Sequence, residues 1–191
     1  MCINEEKYRH EYEDLQSLMV SAFTDLYTLK AIGSFVVPFQ TEYSEETCFV
    51  LNHLTSILKR DLFLSVYKMM YDSDEGTNSL IKLNAELHKS GYTQAQLIKS
   101  DIYRKIENDA KHFRDKLIAH NDAERVLNTI KMDDLEAILR DARHSLNACC
   151  IQELSPQVTP FSNRLLMHIQ LNTHLGFAKL ISGARRIERK E

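Results

Sequence analysis

Helix breakers are scarce in this chain of 191 residues. It holds five glycines and three prolines, at Gly33, Pro38, Gly76, Gly91, Pro156, Pro160, Gly176 and Gly183. Both residue types destabilise helix interiors, so the long stretches without them favour helix. Strand signals are just as sparse. The one β-like run, Phe35-Val36-Val37-Pro38-Phe39, reads better as a buried linker between helices. No apolar run approaches the roughly 20 residues that a membrane-spanning helix requires. The opening residues, Met-Cys-Ile-Asn-Glu-Glu, are acidic and polar, so no signal peptide is expected. The four cysteines, Cys2, Cys48, Cys149 and Cys150, lack the paired spacing of metal or redox motifs. They read as free thiols in a reducing cytoplasm, with Cys149 and Cys150 inside a helical pattern and on different faces. Neither charge sign dominates: the net charge of −3 excludes a broadly basic protein that coats nucleic acid, but leaves room for a local basic site.

What is present suits an all-α protein. Hydrophobic residues make up 43% of the chain and charged residues 27%, enough for a real core and too apolar for disorder. A first helix is expected over about residues 4–32, stopped near Gly33, with Leu15, Leu18, Met19, Ala22, Leu26 and Leu29 on one face. Ser44 reads as the N-cap of a second, with Glu45 and Glu46 at its positive end. That helix carries Phe49, Val50, Leu54, Ile57, Leu58, Phe63, Leu64, Val66 and Met70 up to Asp72. After a loop over 72–77, a short helix over 79–88 is ended by Gly91. A longer helix follows over about 93–118, with the stripe Ile102, Ile106, Ala110, Phe113 and Leu117. Another begins near Met132 and is expected to bury Leu135, Ile138, Leu139, Ala142, Leu146 and Cys149. Pro156 and Pro160 bracket a loop. A last helix from about Ser162 carries Leu165, His168, Ile169 and Leu175 and ends in the basic tail 185–190. The expected architecture is one domain over 1–191: an antiparallel helical bundle over about 4–153 with a C-terminal helical extension over about 161–191.

Functional groups crowd one segment, Arg114-Asp115-Lys116-Leu117-Ile118-Ala119-His120-Asn121-Asp122, where a strongly striped helix ends. On an unbroken helix Arg114 and His120 would lie roughly 120° apart. They can therefore cooperate within one chain only if the helix breaks before His120, or across a symmetric dimer. The ordinary alternatives are a surface ion pair for Arg114, with Asp115, Asp109 or a neighbouring helix, and a polar helix C-cap for His120.

The string RDKLIAHND resembles the R-x(4–6)-H signature of the HEPN superfamily. Upstream, Lys59-Arg60-Asp61-Leu62-Phe63-Leu64-Ser65-Val66-Tyr67-Lys68-Met69-Met70-Tyr71-Asp72 with Ser79-Leu80-Ile81-Lys82-Leu83 is similar to the AbiU-type abortive-infection branch. The resemblance spans about residues 8–150. It implies a helical bundle, a homodimer and metal-independent RNA cleavage at a composite site on the dimer axis, in phage defence or as a toxin, without cofactor. Arg114 and His120 would be catalytic, with Asp115, Lys116, Asn121 and Asp122 supporting them or holding RNA. HEPN toxins silenced by a partner nucleotidyltransferase carry a tyrosine two residues after the histidine. That position is Asp122 here, so such silencing is not expected, although an antitoxin or other regulatory partner remains compatible with the resemblance.

The chemistry is coherent on its own terms. Imidazole titrates near neutral pH and can act as base or acid, while guanidinium stays charged and grips two phosphate oxygens. Other readings stay open. One is a module that binds RNA or protein without cleaving. Another is a helical metal-binding or structural dimer, since Asp109-x-x-His112 and Asp141-x-x-His144 have bundle-ligand spacing. The polar positions on those two helices read instead as solvated faces, with no metal expected. Tyr67, Tyr71, Tyr92 and Tyr103 read as core or interface rather than base-stacking residues. His168 and His174, six apart, read as packing or surface residues.

Overall fold

The computed structural model describes residues 3–36, 43–74, 76–118 and 131–188. Six helices run through them: α1 (Glu5–Phe35), α2 (Glu45–Met70), α3 (Leu80–Lys89), α4 (Asp101–Ile118), α5 (Met132–Ala148) and α6 (Asn163–Glu188). No strand occurs among the described residues, and no helix there is long and apolar enough to cross a membrane. The all-α helical bundle is thus the observed fold class.

The starts of α1, α2 and α3 are capped by side chains. Asn4 accepts from the Glu6 and Lys7 amides at 2.8 and 3.1 Å, Ser44 from Thr47 at 3.2 Å, and Ser79 from Lys82 at 3.4 Å. Each satisfies backbone donors that the helix itself cannot, worth about 1 kcal/mol apiece. Gly91, at φ 94°, turns the chain after α3 in a conformation that an L side chain resists.

Gly33 does not stop α1, which continues to Phe35. Its flanking residues Ile32 and Val36 are buried in a small cluster with Tyr43, Leu51 and Ile181. That burial outweighs the roughly 1 kcal/mol cost of one glycine in a helix. α4 begins at Asp101, eight residues later than the periodicity suggests. Between Thr93 and Ser100 the backbone satisfies itself elsewhere: the Ile98 amide donates to Ser145 Oγ at 2.8 Å and the Ser100 amide to Asp141 Oδ2 at 3.0 Å. Asp141 is therefore buried, not on a solvated face. Cys149 is also buried, but it caps the end of α5 rather than continuing it, and Cys150 lies beyond.

The main core is built from the stripes of α1, α2, α4 and α5, and Leu15, Met19, Ala22, Leu26, Ala110, Leu117, Ile138, Leu139 and Leu146 are all buried in it. Tyr8 locks its far end. The Tyr8 hydroxyl donates to the Cys149 carbonyl at 2.8 Å and accepts from the Ile151 amide at 2.7 Å. The C-terminal extension, α6, runs beside α1 in the same direction: Phe161 stacks on Phe23 just before it, and His174 lies against Phe35 farther along. Its outer face leaves Met167, Leu171 and Leu175 in solvent, so Leu175 is not a core residue. Phe49 and Val50 on the first turns of α2 are exposed as well.

Candidate functional site

The last two turns of α4 place Arg114, Asp115 and Lys116 at the surface beside the loop that joins α2 to α3. His120, Asn121 and Asp122 lie outside the described residues. The structure thus positions one member of the expected catalytic pair and leaves its relation to the other undescribed.

Arg114 is held on three sides. Its Nε and Nη2 converge on one oxygen of Asp115, at 2.9 and 2.7 Å. Its Nη1 reaches Asp74 Oδ2 at 3.3 Å. Its guanidinium carbon sits 4.9 Å from the centre of the Tyr67 ring. A planar cation over an aromatic face is attracted by the ring quadrupole and keeps its edge free for acceptors. The Arg114 side chain retains 19% exposure, so the group is oriented without being sealed off. The Asp115 hydrogen bond, above all, holds its pKa further above the ordinary arginine value. It remains charged at any working pH. The ordinary reading of Arg114, an ion pair with Asp115, is correct as far as it goes; the second carboxylate comes from a distant loop that the sequence did not single out.

Tyr67 belongs to a longer stack. Tyr67 and Tyr71 are stacked at 6.3 Å, and Tyr71 and Tyr103 at 4.6 Å with planes 10° apart. Lys99 Nζ caps the other end, 4.6 Å from the Tyr103 ring centre. Tyr67 of α2, Tyr71 at its C-cap and Tyr103 of α4 therefore form a ladder with a cation at each end. Tyr67 and Tyr103 are buried. These rings pack the helices together and are not available to stack on bases. Burial pushes the Tyr67 hydroxyl above its usual range, with Arg114 pulling the other way.

Loop residues 72–79 present Asp74. The Asp74 amide donates to Asp72 Oδ1 at 3.0 Å, and its carbonyl accepts from Thr77 Oγ1 at 2.8 Å and from Lys82 Nζ. Gly76, at φ 84°, makes the turn. Asp109 and His112 on α4 are exposed, and so is His144 on α5, while Asp141 is occupied by the Ser100 amide. Among the described residues no group of three or more His, Cys, Asp or Glu side chains could share a metal ion. A mostly apolar cavity of about 360 Å³ opens between the end of α1 and the starts of α2 and α5, lined by residues including Leu29, Lys30, Val36, Leu51, Lys59 and Met132. Arg114, Asp115 and Lys116 do not line it, so the concavity and the described part of the charged cluster do not coincide.

The helices that carry this geometry are also those a known family shares. The AbiU2 family, of HEPN type, matches residues 5–151. No curated protein and no solved structure matches the chain significantly. α6 lies beyond the matched residues. With more than three-quarters of its length inside the match, from the start of α1 to the turn after α5, the chain belongs to the AbiU2 family of HEPN proteins.

Proposed function

We propose that the protein is a metal-independent endoribonuclease acting in phage defence or as a toxin, with a composite site formed by Arg114 and His120 from two copies of the chain. The observation that carries this reading is Arg114 itself: a charged, oriented and partly exposed guanidinium on the last turns of α4, inside the family-matched segment and six residues before His120. A histidine removes the proton of the ribose 2′-hydroxyl, the 2′-oxygen bonds to phosphorus, and the bond to the 5′-oxygen breaks. A second histidine protonates that leaving oxygen, while guanidinium neutralises the crowded phosphorane. The products are a 2′,3′-cyclic phosphate and a 5′-hydroxyl. Lys116, Asn121 and Asp122 sit on the same segment and would contribute to RNA contacts. Asp115 would fix the arginine edge.

The test is cleavage of RNA by the purified chain with EDTA present, comparing wild type with Arg114→Ala and His120→Ala at matched oligomeric state. Cyclic phosphate ends from wild type alone support the nuclease; undiminished cleavage by His120→Ala refutes it. A module that binds RNA without cutting it is the second reading, favoured by the fact that two carboxylates already engage Arg114. It predicts RNA binding by wild type with no new ends.

A further inference from the structure

We infer that Asp74 is an internal competitor for the phosphate-binding edge of Arg114, a latch that RNA must displace; this rests on the reading of Arg114 as a phosphate ligand.

The case starts from the donors. A guanidinium offers five N–H groups and grips phosphate through pairs of them. Asp115, next to Arg114 on the same helix, engages Nε and Nη2 through a single oxygen. Asp74 engages Nη1. An incoming phosphodiester oxygen needs the same edge that the Asp74 carboxylate occupies, and the two anions repel one another.

The loop that carries Asp74 is built independently of this contact. Asp72 accepts the Asp74 amide, Thr77 and Lys82 donate to its carbonyl, and Gly76 turns the chain. None of those bonds involves Arg114, so the backbone presents the carboxylate whether or not the ion pair forms. The Asp74 side chain is 64% exposed, against 19% for Arg114. An exposed carboxylate can swing into solvent while the arginine stays on Tyr67. The pair is therefore weak enough to exchange and close enough to compete.

Simple removal of a negative charge near an RNA site would also tighten binding, so the test is a double-mutant cycle. The probe is a short RNA with 2′-O-methyl groups throughout, which cannot be cleaved by its own 2′-oxygen. Its affinity is measured by fluorescence anisotropy for the full-length wild type, Asp74→Asn, Arg114→Ala and the double variant. The expected result is a gain of about two- to fivefold for Asp74→Asn over wild type, and no gain when Arg114 is alanine. An equal gain in both backgrounds, no gain in either, or no binding by any of the four proteins overturns the latch. Cleavage of natural RNA by the same proteins separates the two ideas. A failed cycle with cleavage still dependent on Arg114 removes the latch and keeps the nuclease. An intact cycle without cleavage keeps the latch and removes the nuclease.

Discussion

α4 ends in two different ways. At its start, Asp141 takes the Ser100 amide, Ser145 takes the Ile98 amide, and Ser100 Oγ accepts from the Tyr103 amide at 3.2 Å. Lys99 lies over Tyr103 and donates to Glu107. At its finish, Arg114 lies over Tyr67 and pairs with two carboxylates. Both ends use a cation on a tyrosine with acids alongside. The difference is what the acids hold. At the start, Asp141 binds backbone from another segment and is buried, so removing it strands an amide. At the finish, the acids bind only another side chain and stay exposed. A polar group spent on backbone is structural, and one spent on an exchangeable side chain remains available for a ligand.

Substitutions at four positions and one titration can break or sharpen that contrast. Leu117 anchors the functional end from inside and is fully buried. Leu117→Ala is expected to destabilise the fold by about 3 kcal/mol, read from urea unfolding. Asp141→Ala should cost about 2 kcal/mol, because the Ser100 amide loses its acceptor and the start of α4 frays; Asp141→Asn should recover most of it. Tyr103→Phe removes a hydroxyl that reaches the Met70 carbonyl at 3.1 Å and should cost about 1 kcal/mol. Arg114→Ala should cost no more than about 1 kcal/mol, the range of partly exposed ion pairs together with a cation over a ring. A loss above about 2 kcal/mol would make Arg114 a clamp of the fold and erase the contrast.

The titration is a slope. Asp25 on α1 is half-buried near Asp61 on α2; burial first, and that second carboxylate next, push its pKa up to about 6. The folded state then holds a proton that the unfolded chain has released. Stability should therefore fall as pH rises from about 4 to about 6 and level off above that. Asp25→Asn should flatten this window in a series of thermal melts.

Much of this was legible in the residues, for identifiable reasons. Ser44 announces α2 because a cap followed by two acids is a local signal, and the α5 stripe is legible because its period is unbroken. The start of α4 was not legible. Residues 93–100 show no local breaker, and what keeps them out of the helix are side chains more than forty residues away. The apolar positions of α6 were visible, but which of them face α1 depends on how that helix docks, and Met167, Leu171 and Leu175 fall outside. At the site, Arg114 stood out through its neighbours in sequence. Asp74 and Tyr67 did not, because only the meeting of α2, its following loop and α4 brings them there.

The bonds of Tyr8 carry a consequence for how the molecule is made. They join α1 to Cys149 and Ile151, groups 141 and 143 residues away. On the ribosome α1 emerges before either partner, and at roughly 5–20 residues per second its tyrosine waits about 7 to 30 s for them. Until Ile151 has cleared the exit tunnel, the far end of the core cannot close. The start of α1 therefore reaches its final contacts only after α2 to α5 have been made, so the bundle closes on its first helix late.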